Sequence, residues 1–501
     1  MKRFTPICLV LLLTACGARI PDQYTASNAQ PEIYPDYTDV TIPVNVAPLT
    51  FQMDMPADEM VASYSVGNHQ LICGGDKVQP DIDDWRQLLT TACGKAVTVD
   101  VYARHGDQWT RYRPFRLYVS PDSIDPWLSY RLISPSYVSY EELTISQRCL
   151  ENYDERVVYD NMLCSEEGRG QCINCHNYQQ YNPERMQFHA RQNLGGTVIA
   201  YDGKLQKINM KNDSLLSAGV YPAWHPWLPL IVYSTNSTHQ SFHVNHPDKI
   251  EVFDSQSDLI AYDVTTHEVT NIENDSTEFE VFPFWAPDGK AVYYCSAHFE
   301  YDSVGDRNTQ VISRGPEIKY NIYKKTFDPQ TMQFGPRQLV FDAAALGQSA
   351  TLPRISPDGR WLVFTMAPFG VFHIWHRKAD LWMMDLQADS VAAAPMQAVN
   401  SPETESYHAW SSNGRWLVVS SRRDDGNYTR PFFAHVDQKG QASKPFELPC
   451  ADPDYHRQFL KCYNIPEFMR GPVAIKPQQF ADVLKGDGIT VSYVPTLGQK
   501  R

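Results

Sequence analysis

The apolar residues of this chain come in short bursts. Leu230-Ile231-Val232-Tyr233, Ala291-Val292-Tyr293-Tyr294-Cys295, Trp361-Leu362-Val363-Phe364 and Trp416-Leu417-Val418-Val419 are too short for helices and suit buried strands. Each follows a turn cluster: His225-Pro226, Ala286-Pro287-Asp288-Gly289-Lys290, Ser356-Pro357-Asp358-Gly359-Arg360, and Ser411-Ser412-Asn413-Gly414-Arg415. Ahead of the turns stand Tyr221-Pro222-Ala223-Trp224, Phe282-Pro283-Phe284-Trp285, Leu352-Pro353-Arg354-Ile355 and Tyr407-His408-Ala409-Trp410. Asp-Gly and Asn-Gly tolerate positive φ, so each unit reads as a hairpin. The anchors Pro226, Pro287, Pro357 and Ser412 recur at intervals of about 55 to 70 residues, which marks a repeat architecture with long loops. Leu259–Val264 and Asp380–Leu386 supply further strands, and Gly196–Tyr201 through Asn209 reads as an earlier partial repeat.

The first part of the chain has a different texture. Val40–Val44, Ala96–Tyr102 and Phe115–Val119 alternate or run apolar between Gly, Pro and Asp breaks, and Asp83–Thr91 suits one short helix. A β-rich module over 39–160, sandwich-like in the manner of immunoglobulin domains, is expected. Before it, residues 17–38 read as a flexible tether rich in Ala, Ser, Asn, Gln and Pro. Residues 1–16 open with basic Met1-Lys2-Arg3 and continue into an apolar core, Ile7–Leu13, too short to cross a membrane. The ending Leu13-Thr14-Ala15-Cys16 resembles the bacterial lipobox, which implies that Cys16 is lipidated and anchors the protein to a membrane. Gly17, where an inner-membrane retention signal would have Asp, points to the outer membrane facing the periplasm, with a cell-surface orientation left open.

One motif carries chemistry. Cys172-Ile173-Asn174-Cys175-His176 has the C-x-x-C-H spacing of covalent haem attachment, in which two thiols take the haem vinyl groups and the adjacent imidazole reaches the iron. A zinc site would want a second Cys/His pair and a redox dithiol a βαβ setting, and the sequence offers neither. Asn182-Pro183-Glu184 reads as a helix start, so 184–192 is expected to be helical. That spacing would put Met186 and His189 on one face as alternative sixth ligands; the remaining alternative is that neither binds iron. Arg185 and Arg191 could pair with haem propionates. The segment 161–195 is thus expected to be a short helical insert holding one covalent haem c, too small to bury the haem alone.

Charge and cysteine usage narrow the partners. The net charge of −14 moves toward −16 when Lys2 and Arg3 leave, which disfavours nucleic acid and favours a basic partner. An exported protein can form disulfides, and Cys73–Cys93, Cys149–Cys164 and Cys450–Cys462 are candidate local pairs. His225, His239, His243 and His246 are loosely spaced for a metal, Asp302–Asp306 lacks a calcium-loop pattern, and no phosphate loop or nucleophile elbow occurs.

The Ala286–Lys290 and Ser356–Arg360 segments resemble the TolB-type propeller signature, Ser/Ala-Pro-Asp-Gly-Lys/Arg followed by an apolar strand. The order lipobox, β-rich module, C-x-x-C-H and propeller resembles TolB-like haem-motif lipoproteins of Bacteroidetes-type bacteria. The resemblance implies a mainly β fold: a propeller of about six blades over 196–450, with 451–501 closing it. Function follows less directly from it. The leading expectation is electron transfer or redox-coupled binding of envelope proteins, and not a typical enzyme. A non-catalytic envelope scaffold with structural haem and a peroxidase-like haem enzyme or sensor are the alternatives.

Overall fold

The turn clusters form as the residue types dictate. Ser356 and Ser411 N–H donate to Trp361 and Trp416 carbonyls at 2.8 Å, while Gly359 and Gly414 N–H close back on the same serines at 2.8 and 2.9 Å. Asp358 and Asn413 side chains accept from the N–H two residues on, at 3.1 and 3.0 Å. Gly359 and Gly414 sit at φ 75° and 67°, where a side chain would be strained. Ala286–Lys290 repeats this arrangement with Gly289 at φ 60°.

These turns link strands into a mainly β fold with a β-propeller arrangement. The structure is a computed structural model that describes residues 18–135, 142–246, 248–388 and 392–498. The leader and Cys16 lie outside the described residues. Six strands stand at the axis: Gln171–Tyr178, Val220–Trp224, Glu278–Trp285, Ser349–Ile355, Glu405–Trp410 and Cys462–Met469. Each touches the next, and the last touches the first, so they close a ring. Antiparallel strands extend outward from each of them. The second and third groups are joined into one sheet by a single bridge, Ser257 to Phe279.

All six axial strands carry the same irregularity. Cys175, Tyr221, Phe282, Leu352, Tyr407 and Ile465 have φ between 35° and 58°, and the pairing register shifts beside each one. A non-glycine residue there costs on the order of 1–3 kcal/mol and persists only where its surroundings over-determine it. The ring therefore has a six-fold tetrad: Cys175-His176-Asn177-Tyr178, Tyr221-Pro222-Ala223-Trp224, Phe282-Pro283-Phe284-Trp285, Leu352-Pro353-Arg354-Ile355, Tyr407-His408-Ala409-Trp410 and Ile465-Pro466-Glu467-Phe468.

Several expectations are corrected here. Residues 161–195 are not a helical insert: Gln171–Tyr178 and Met186–Gln192 are paired strands, the first being an axial strand. Asn182 does accept from Glu184 N–H at 2.9 Å, but the turn it makes leads into a strand. The module boundary at 160 also moves. Trp127–Ile133, Thr144–Cys149 and Glu155–Asp160 form one sheet with Cys462–Met469, so both ends of the chain share it.

After that shared sheet, helix Pro477–Lys485 buries Phe480, Ala481 and Leu484. The tail then adds Ile489–Thr490 and Ser492–Tyr493 as parallel partners to two sheet edges, covering backbone groups that would otherwise be unpaired. The N-terminal module holds a mixed seven-stranded sheet and a separate two-stranded one. Helix Ile82–Ala92, capped by Asp81, covers it with fully buried Trp85, Leu88, Leu89 and Ala92. The expected tether is ordered where described: Thr25–Ala26 pairs with Thr110–Arg111, Ile33–Tyr34 pairs with Gln52–Met53, and Tyr37 is buried. The proposed disulfides are absent, since all nine described cysteines are free. Neighbours in sequence do not face one another: Cys164 donates to Ala481 O, whereas Cys149 sits opposite Trp127.

Candidate functional site: the axial channel

The tetrads divide the axis into two chambers and a waist. The waist is lined by all six first positions, from Cys175 round to Ile465, with His176, Arg354 and Glu467 beside them. On one side lies a chamber of about 400 Å³, lined by Cys172, Asn174, His189, Arg191, Arg131 and Asn464 among others. On the other lies a chamber of about 190 Å³, lined by the third and fourth positions of the tetrads and by Pro226, Pro287 and Pro357 of the turns.

Strand parity decides which motif residues reach the larger chamber. Cys172 is opposite Arg191 and Asn174 opposite His189, so these four side chains share a face. Cys175 belongs to the waist because its positive φ turns the strand there. Cys172 therefore opens on the larger chamber while Cys175 is part of the waist itself. Burial pushes the Cys175 thiol up.

His176 is 1% exposed, and neither ring nitrogen makes a hydrogen bond of good geometry. Burial, then the charge of Arg131, pushes its pKa down to about 3, so the ring is neutral near pH 7. His408 occupies the same tetrad position and supplies a comparison: its Nε2–H donates to Val363 O at 3.0 Å. Leaving a buried polar group unpaired costs about 1–3 kcal/mol. Unlike His408 Nε2, the His176 nitrogens meet only the Ser129 and Ile465 backbone, without good hydrogen-bond geometry.

Met186 and His189 do not share a face. On a strand, residues three apart point oppositely. Met186 is fully buried in the apolar cluster with Phe188 and Ala190, whereas His189 lines the larger chamber. Its Nδ1 is held by Thr197 Oγ1 at 3.0 Å, leaving Nε2 as the other ring nitrogen, and burial followed by Arg191 pushes its pKa down to about 3. Arg185 pairs with Asp202 at 2.7 Å and lies over Tyr201, away from the motif. Arg191 lines the larger chamber. The residues present fit a haem on their chemistry: Cys172, the neutral His189 imidazole, Arg131 and Arg191 line the larger chamber, and Cys175 and the neutral His176 imidazole stand in the adjoining waist.

Other sequence candidates have local roles. His225 Nδ1 accepts from Trp227 and Leu228 N–H, and its Nε2–H donates to Gly289 O. His243 and His246 lie beside each other in a surface loop, their rings tilted by 47° with centres 5.3 Å apart. Among the described residues no group of three or more His, Cys, Asp or Glu side chains is arranged to hold a metal. Asp306 caps helix Arg307–Ser313. Sequence reading missed Asn177, Arg354 and Glu467, which line the smaller chamber. The available signal was the tetrad's third position, the one place where the copies differ in charge.

No family model matches the chain, and no curated protein matches it. Among solved structures, it is similar to a prolyl endopeptidase from a study of two such enzymes (10% identity, TM-score 0.34, covering 65% of this chain and 42% of the other). It is also similar to a puromycin hydrolase (10%, 0.33, 66% and 54%) and to a GH74 enzyme of Niastella koreensis (11%, 0.34, 62% and 53%). The chain spans about half the length of these structures. No helix among the described residues is long and apolar enough to cross a membrane.

Proposed function

We propose that the protein is a TolB-like haem c lipoprotein that transfers single electrons or couples redox state to protein binding at the cell envelope. The observation that carries this reading is the C-x-x-C-H sequence at the axis, whose buried His176 ring nitrogens make no hydrogen bond of good geometry while Cys172, four residues before it, opens on the larger chamber. Cys172 and Cys175 would hold the group, His176 would bind its iron, and Arg131 and Arg191 suit its carboxylates. When bound, the group would supply a reversible one-electron couple. His189 is the better second ligand, since Met186 faces the opposite side of its strand. One blade per axial strand gives a six-bladed count, the last blade being built from residues 127–160 and 462–469.

Cys16 carries the lipid in this reading, which sets the protein on the outer membrane facing the periplasm. The excess of acidic residues favours a basic partner whose association weakens with salt. The deciding experiment is a pyridine haemochrome assay on protein from a host that matures c-type cytochromes. One covalent haem, lost in Cys172→Ser and Cys175→Ser, is expected; haem-free wild-type protein overturns the proposal. Cys16→Ser should release the protein from membranes, and continued partitioning into detergent would count against lipidation.

A further inference from the structure

The smaller chamber lies across the waist from the motif, and nothing in the redox reading uses it. All six third positions of the tetrads face it: Asn177, Ala223, Phe284, Arg354, Ala409 and Glu467. The fourth positions add Trp224, Trp285 and Trp410 to its wall. A structural repeat has no need of ionisable groups at its axis, yet two of the six third positions are an arginine and a glutamate.

The two groups act on each other only at a distance. No ion pair within 4.0 Å joins Arg354 to Glu467 among the described residues. Arg354 Nη1 donates to the adjacent Pro353 carbonyl at 2.9 Å, and the guanidinium lies over Phe284, 5.0 Å from the ring centre. A guanidinium has five donors, so most of its capacity is left toward the chamber. Glu467 Oε1 accepts from Asn177 Nδ2 at 2.7 Å and the Tyr178 N–H also bonds to the carboxyl group, which uses part of its accepting capacity. A cation and an acid held apart across an aromatic cavity are complementary to a small molecule bearing both charges and an apolar body.

We propose that this chamber binds a zwitterionic apolar ligand, an aromatic amino acid or its dipeptide. Its carboxylate meets Arg354, its ammonium meets Glu467 and Asn177, and its ring packs among Trp224, Trp285 and Trp410. The Arg–carboxylate contact fixes orientation, and the tryptophans supply most of the buried apolar area. Binding does not require the haem, although Arg354 and Glu467 also border the waist that holds Cys175 and His176.

The test is isothermal calorimetry on the full-length protein with L-phenylalanine, L-phenylalanyl-L-phenylalanine, L-phenylalaninamide and 3-phenylpropionate. One of the first two should bind, and which one does so fixes the ligand length. The amide, lacking the carboxylate, and phenylpropionate, lacking the ammonium, should each bind roughly ten- to a hundredfold more weakly, the range for a charged hydrogen bond lost. Arg354→Gln should remove the preference for zwitterion over amide. Glu467→Gln should remove the preference over phenylpropionate, and serves alone if the arginine variant does not fold. Binding of neither zwitterion, equal binding of all four compounds, or preferences unchanged in folded variants overturns the proposal.

Discussion

Replacing Glu280 with Gln should make the protein more stable, by an amount that grows with pH. Glu280 lies on an axial strand opposite Ser296, is 0% exposed, and has no hydrogen bond at either carboxyl oxygen. Burial, then the charges of Glu273, Asp258, Glu278 and Asp275, raises its pKa from 4.5 to about 9. The folded value is above the unfolded one, so the native state binds this proton more tightly. Its stabilising contribution is therefore complete below about pH 4.5, and it declines as pH rises until the folded group also ionises near pH 9. Each unit between those limits removes about 1.4 kcal/mol, or about 3 kcal/mol by pH 7. Glutamine keeps the shape and does not titrate. The stability difference between Glu280→Gln and the parent should grow by about 4 kcal/mol from pH 5 to pH 8, a large share of a typical domain's margin. Asp258, Asp424, Glu447 and Glu467 also have raised values, of about 6, 7, 8 and 7. They are present in both proteins and largely cancel in the difference. Denaturant midpoints for the two proteins at several pH values would measure it. Parallel pH profiles would refute the reasoning, because Glu280 would then be solvated or paired.

In haem-loaded protein, His189→Ala should shift the spectrum toward high spin while Met186→Ala leaves it nearly unchanged, although the methionine variant should lose about 2–5 kcal/mol of stability through its cavity; the opposite pattern would return the ligand role to Met186. Phe480→Ala removes a ring that packs against Phe188 and Tyr159 at 5.5 and 6.2 Å, and should cost about 3–5 kcal/mol by thermal or denaturant unfolding; a neutral result would mean that the C-terminal helix is not docked there. Thiol titration of unfolded, unreduced protein should show Cys73, Cys93, Cys149, Cys164, Cys295, Cys450 and Cys462 all reactive, and a loss of any two together would reveal a disulfide.

The turns and the helix in the N-terminal module were legible because their signals are local. Ser-Pro-Asp-Gly encodes its own hydrogen bonds, and Asp81 with the apolar spacing of Trp85, Leu88, Leu89 and Ala92 encodes a capped amphipathic helix. Residues 182–192 misled for the same reason: Asn-Pro-Glu opens a helix or a simple turn equally well, and tertiary pairing with Gln171–Tyr178 decided for strand. That change of period moved Met186 and His189 from one face to two. The sheet shared by 127–160 and Cys462–Met469 left no local trace, because its partners are far apart in the chain. The tetrad Cys175-His176-Asn177-Tyr178 was hidden by its lack of proline and by its overlap with the haem-type motif.

The shared sheet also sets an order of events. A chain delivered from its N-terminus presents Cys172 and Cys175 well before Cys462–Met469 emerges to complete the ring. Until then the strand bearing both thiols lacks one of its two lateral neighbours, and the axis stays reachable from the side. Any chemistry that must reach those sulfurs thus has a natural interval in which to act, ended by arrival of the last axial strand. Slowing release of the C-terminal segment would lengthen that interval, so maturation and closure compete in time as well as in space.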